Sequence, residues 1–113
     1  MARRGGNELV TISWRDIPAQ VNCRSGDEKH QVILPRRFQK AIDRAAMVAD
    51  KKTANEYVAE WRRTTAPLAT GSVVADAAQT EADRLEASFP LERLDQYVAT
   101  GGWNPDRPEH ERI

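Results

Sequence analysis

The chain has 113 residues, of which 17 are Lys or Arg and 17 are Asp or Glu; 40% are hydrophobic and 30% charged. That length closes one modest core and is too short for two. A formal net charge of zero argues against the diffuse cation excess by which general nucleic-acid and membrane binders hold their partners, and one cysteine with two histidines excludes a disulfide framework or a Cys/His zinc centre built from this chain alone.

Met1 to Arg4 is a basic start, but Gly5-Gly6-Asn7-Glu8 follows and no secretory apolar core does. The apolar runs are far shorter than the roughly 18 to 20 residues that span a bilayer. With the lone Cys23, this suits a cytoplasmic, non-membrane protein. The expected organisation is a flexible stretch over residues 1–7, one α+β domain over 8–102, and a flexible tail over 103–113 unless Trp103 packs back.

From Glu8 to Arg24 the pattern has period two: Val10, Ile12 and Trp14 alternate with Thr11, Ser13 and Arg15, and then Ala19, Val21 and Cys23 alternate with Gln20, Asn22 and Arg24. This predicts two half-buried strands in a β-hairpin, with Val10, Ile12, Trp14 and Val21 facing the helices and Arg15-Asp16-Ile17-Pro18 as the turn. Ser25-Gly26-Asp27 ends the hairpin, and His30 to Leu34 could add a third strand.

After Pro35 the period becomes helical, with Phe38, Ala41, Ile42, Ala45 and Ala49 on one face. Thr53-Ala54-Asn55-Glu56 has the form of a capping box. It predicts a second helix that buries Ala54, Tyr57, Val58 and Trp61 and ends near Arg63. Ser72 is the expected cap of a third helix carrying Val74, Ala78, Ala82, Leu85 and Phe89. Pro90 opens a fourth with Leu91, Leu94, Tyr97 and Val98, closed by Gly101-Gly102. The fold class is α+β: a short antiparallel hairpin, with room for a third strand, packed on about four helices.

No catalytic constellation emerges. Cys23 and His30 are the one conceivable thiol and imidazole pair, yet Cys23 shares a strand face with Val21 and reads as a small core residue. Glu56 and Glu60 stand four apart on a helix but lack the further ligands that a carboxylate metal site needs, and a solvated acidic face is the simpler reading. There is no glycine-rich phosphate loop or nucleophile elbow. The chain is therefore expected to be no enzyme, with no metal and no cofactor.

Charge and aromatics point instead to surfaces. Residues 1–63 hold 13 basic and 8 acidic side chains, net +5, and residues 64–113 hold 4 and 9, net −5. Arg36, Lys40 and Arg44, with Arg37 beside them, form a basic stripe that could grip phosphates or pair with the acidic later helices. Trp14-Arg15-Asp16-Ile17-Pro18-Ala19-Gln20-Val21 and Tyr57-Val58-Ala59-Glu60-Trp61-Arg62-Arg63 each couple a tryptophan with arginines, the residue types that anchor interfaces. Either the tryptophans are core residues, or Arg15, Asp16 and Gln20, joined by Arg62 and Arg63, form a docking surface.

These two segments, with Leu34-Pro35-Arg36-Arg37-Phe38-Gln39-Lys40-Ala41-Ile42-Asp43-Arg44-Ala45-Ala46-Met47 between them, resemble a small bacterial family labelled virulence factor. Similar modules close the larger conserved virulence factor C proteins, and the likeness covers roughly residues 8 to 100. The label names a phenotype and brings no catalytic residues. Stand-alone members resemble companions of folate- and corrinoid-dependent methyl-transfer enzymes, which implies an accessory subunit. The chain itself shows neither an Asp-x-His-x-x-Gly cobalamin motif nor a folate site.

The expected function is a non-enzymatic interaction module with a protein partner. Its binding residues would be Trp14, Arg15, Asp16, Gln20, Arg36, Arg37, Lys40, Arg44, Arg62 and Arg63. Support of a one-carbon methyl-transfer enzyme is the first alternative, and nucleic-acid binding by the Arg36 stripe the second.

Overall fold

The computed structural model describes residues 7–69 and 71–112. The stretch 1–7 that was expected to be flexible thus lies, apart from Asn7, outside the described residues. Strands β1 (Glu8–Trp14), β2 (Ile17–Ser25) and β3 (Glu28–Ile33) come first, then helices α1 (Arg36–Val48) and α2 (Ala54–Val58). Strand β4 (Trp61–Pro67), helices α3 (Val74–Ser88) and α4 (Leu91–Ala99) and a final 3-10 turn at Glu109–Glu111 complete the α+β domain. The sheet is antiparallel throughout, in the order β3-β2-β1-β4.

Both hairpin turns are two residues long. Gly26 supplies a φ of +60° in the β2–β3 turn, and Arg15 takes +52° in the β1–β2 turn, as short hairpin turns require at this position. The latter turn is tighter than expected, because Ile17 and Pro18 already belong to β2. Pro18 has no N–H for the ladder, and the register slips by one residue beside it: Ile12 pairs with Gln20 but Ser13 with Pro18. The extra residue, Ala19, offers its carbonyl to the Leu34 N–H at 3.0 Å.

This bulge corrects the expected hairpin face. Trp14 pairs with Ile17, whereas Val21 pairs with Thr11, so Val10 and Val21 point to opposite sides of the sheet. The α3 side carries Leu9, Thr11, Val21, Cys23 and Val32. Val10 is buried on the other side, outside the main core, and Ile12 is half-buried there.

The second helix is also corrected. Its capping box forms as expected, Thr53 Oγ1 accepting from Glu56 N–H and Glu56 Oε1 from Thr53 N–H, both at 3.2 Å. The helix stops at Val58, and Trp61 to Arg63 are strand. A single helical turn buries none of its own residues and stands only on tertiary contacts. The stretch Trp61-Arg62-Arg63-Thr64-Thr65 has the aromatic and β-branched content of a strand, and it pairs along the whole of β1.

Helix α3 packs on β2 and β3, while α1, α2 and α4 gather at the end of the sheet where β1 turns into β2. Phe38, Ala41, Ile42 and Ala45 of α1, Val74, Ala78, Ala82 and Leu85 of α3, and Leu94, Tyr97 and Val98 of α4 are buried as their spacing requires. Phe89 ties the helices together, edge-on to Phe38 and to Tyr97. Leu91, expected in the α4 stripe, is 59% exposed. Ser72 does not cap α3 by its side chain; its hydroxyl donates to the Ala69 carbonyl, and Val73 is the capping residue.

Cys23 lies in the core, and burial, followed by the negative charge of Glu81, pushes its thiol up from the ordinary value. A raised folded-state value means that the thiol adds stability at neutral pH, which is lost as pH rises through the thiol range. Cys23→Ala should therefore lower stability at neutral pH by about 1 kcal/mol. Its urea midpoint should also fall less steeply than that of the natural chain above about pH 8.5; parallel pH profiles would contradict this.

Candidate interaction site

The β1–β2 turn is bound on every side. Arg15 holds its left-handed backbone although it is not glycine, a conformation that costs about 1 to 2 kcal/mol. Its N–H donates to the Glu60 carbonyl at 3.0 Å. Its guanidinium donates from Nε to Glu60 Oε1 at 3.1 Å and from Nη1 to the Gly101 carbonyl at 3.0 Å. The same group lies against two indoles, 5.2 Å from the Trp14 ring centre and 4.7 Å from that of Trp103. Asp16 donates its N–H to the Gly102 carbonyl at 2.8 Å and accepts from Asn104 N–H at 2.7 Å, with Arg107 paired to its other oxygen. Trp103 therefore does pack back, and Asn104 and Arg107 come with it.

Trp14 has no exposed surface. Its indole donates to the Tyr57 carbonyl at 2.8 Å and stacks on the Tyr57 ring. Gly101 and Gly102 bring the end of α4 onto it. Gly101 N–H donates to the Val98 carbonyl and Gly102 N–H to the Tyr97 carbonyl, the paired bonds of a Schellman cap. At Gly102, φ is +102° and a Cβ would meet Trp14 at 2.9 Å.

The basic stripe of α1 divides. Arg37 donates to the Phe89 and Glu86 carbonyls, and Arg44 pairs with Asp95 of α4 at 2.8 Å. Arg36 and Lys40 are exposed. Arg62 pairs with Glu60 at 3.3 Å and lies 6.0 Å from the Trp103 ring centre. The structure thus brings Trp14, Arg15, Asp16 and Arg62 into one cluster and sets the α1 cations apart.

Gln20 and Arg63 belong elsewhere. They lie in one cross-strand row, Ile33–Gln20–Ile12–Arg63, on the sheet face opposite α3. The next row is Gln31–Asn22–Val10–Thr65 and the third Lys29–Arg24–Glu8–Pro67. Ile33, Gln31, Lys29, Arg63 and Thr65 are exposed, so the face is open beyond the Trp14 end. Two clefts mark it. One, of about 380 Å³, is walled by Glu8, Asn22, Arg24, Lys29, Gln31 and Arg63 over Val10, with Cys23 and His30 also lining it. The other, of about 340 Å³, is lined by Ile12, Gln20, Ile33, Gln39 and Trp61 among others.

Asn22, Arg24, Lys29 and Ile33 escaped the sequence reading. The signal for them was present: the Gly26 turn sets Ser25 opposite Glu28 and hence Arg24 opposite Lys29. Among the described residues no group of three or more His, Cys, Asp or Glu is placed to hold a metal ion, and no helix is long and apolar enough to cross a membrane.

The class defined is a small α+β domain whose antiparallel sheet is packed by a helix on one face and open on the other. The sequence profile of the family described as Virulence factor matches residues 12–98, and the chain belongs to that family. No curated protein and no solved structure matches the chain. The matched span runs from Ile12 through Val98 and so includes both tryptophan–arginine segments and all of α1.

Arg15→Ala should lower the unfolding free energy by about 2 to 4 kcal/mol, since it leaves the buried Gly101 carbonyl short of a donor and the half-buried Glu60 carboxylate with only Lys51 and Arg62. Arg15→Lys, which keeps the charge without the forked geometry, should recover less than half of that in urea titrations; full recovery would show that charge alone matters. Gly102→Ala should cost about 2 kcal/mol or more by the same measurement, through its backbone and the Trp14 contact.

Proposed function

We propose that this chain is a non-enzymatic protein-interaction module whose docking surface is the open face of the sheet. The observation that carries this reading is that Gln20, Gln31, Ile33 and Arg63 share a solvent-facing surface that no internal contact requires. Ile33 is 64% exposed there, and neither Lys29 nor Arg63 has an ion-pair partner among the described residues. Of the residues first expected to bind, Gln20 and Arg63 lie on this surface. Trp14, Arg15 and Asp16 are its scaffold, and Arg62, opposite Ser13 in the register, belongs to the other side of the sheet, beside Trp103.

Family membership is consistent with such a role without naming a partner. Nothing in the geometry favours the methyl-transfer alternative. The nucleic-acid alternative loses ground, because Arg37 and Arg44 are engaged with α3 and α4 and, among the described residues, the open face has no row of aromatic rings on which bases could stack.

An affinity-tagged chain expressed in its native host, with captured proteins quantified by mass spectrometry, tests the reading. The variant Gln20→Ala/Ile33→Ser/Arg63→Ala should lose a specific partner that Arg36→Ala/Lys40→Ala retains, with both variants folded by circular dichroism. Equal capture by the two, or loss with the α1 variant alone, would remove the open face from the proposal.

A further inference from the structure

The open face is chemically divided, and the division selects its partner. We infer that it binds an extended acidic segment of a partner protein that carries an apolar side chain at one end. This rests on the docking surface proposed above and specifies its ligand.

At one end, Ile12, Ile33 and Trp61 line a cleft with Gln20 and Gln39. At the other, Arg24, Lys29 and Arg63 line the second cleft, with Glu8 as its one carboxylate. Glu8 is already engaged, accepting from Arg24 Nη2 at 2.9 Å. Arg24 and Lys29 are direct cross-strand neighbours, and like charges in that position repel. An anion between them would turn this repulsion into attraction.

The polar wall also lacks both kinds of partner. Asn22 Oδ1 and Arg24 Nε are shielded from solvent and have no hydrogen-bond partner among the described residues, a condition that native structures seldom leave unmet. The first needs a donor and the second an acceptor. A peptide that moved their present cover aside would offer both, as backbone N–H and as carboxylate, whereas a bare inorganic anion supplies only the acceptor. Ile33 and Lys29 lie on one strand and one face, four residues apart, which is about 13 Å in extended chain. The apolar anchor and the carboxylates should therefore be separated by about four extended residues.

The test uses the full-length, isotope-labelled chain and a synthetic peptide of about eight residues, with Phe near one end and a run of Glu near the other. Backbone amide and Trp61 indole resonances are followed on titration. The expected result is saturable shifts at Ile12, Gln20, Asn22, Arg24, Lys29, Ile33 and Trp61, affinity that falls as salt rises, and a loss of roughly tenfold in Lys29→Glu/Arg63→Glu. Both of those side chains are exposed, so the fold should survive; the Trp14 indole resonance checks that it does. Equal binding of the peptide with Lys in place of Glu, or with Ser in place of Phe, would overturn the inference. So would a response confined to inorganic phosphate, or stronger binding of oligo-dT at the same residues. If no probe binds while the host partner is still lost with the open-face variant, the ligand class falls and the docking surface stands; if both fail, the docking surface falls too.

Discussion

The arrangement depends on a cation held between two indoles at a turn that its own backbone disfavours. A guanidinium can donate in several directions within one plane and still present its faces to aromatic rings. Arg15 uses all of this at once, reaching the carboxylate that precedes β4, the carbonyl that ends α4, and the rings of Trp14 and Trp103. Three separate parts of the chain are thereby joined at the tightest point of the first hairpin. The left-handed φ at Arg15 is tolerable because these contacts outnumber what a relaxed turn would offer. Trp14 beneath it supplies the apolar floor, and Gly102 lets a backbone approach that floor more closely than any side chain would permit.

The zero net charge of the chain takes on a definite meaning in this setting. Several cations of the basic half meet groups of the acidic half: Arg44 with Asp95 across α1 and α4, and Arg37 with the carbonyls at the end of α3. The pairing also runs the other way, Arg107 returning to Asp16. Among the described residues, the cations left without an ion pair include Arg36 and Lys40 on α1 and Lys29 and Arg63 on the sheet face opposite α3. Surface pairs such as Arg44–Asp95, with both partners more than half exposed, orient elements more than they stabilise them.

Much of the architecture was legible in the sequence, because periodicity reports burial. The stripes of α1 and α3 are buried where their spacing placed them, and the capping box marked the start of α2 to the residue. What periodicity could not convey was a phase change. A single extra residue at Ala19 moves Val21 to the side opposite Val10, so alternation that looked like one apolar face is two. The fate of Trp61 to Arg63 was likewise hidden, since helical spacing and strand content coexist there and the free edge of β1 decided between them. The open face was missed for a related reason. Its cations are scattered over β2, β3 and β4 and meet only through register, whereas the stripe on α1 recurs at helical spacing within one short stretch of sequence.

The turn at Arg15 also sets an order of events. Its bond to Gly101 and the Asp16 bond to Arg107 join positions 86 and 91 residues apart, among the most non-local contacts the chain makes and so among the slowest to close. During synthesis the first hairpin emerges long before its supports do. Until the segment through Arg107 has left the ribosome, a nascent chain therefore has nothing to hold Arg15 in its left-handed conformation, to shelter Trp14 or to pair Asp16, and only then can the domain become a single cooperative unit.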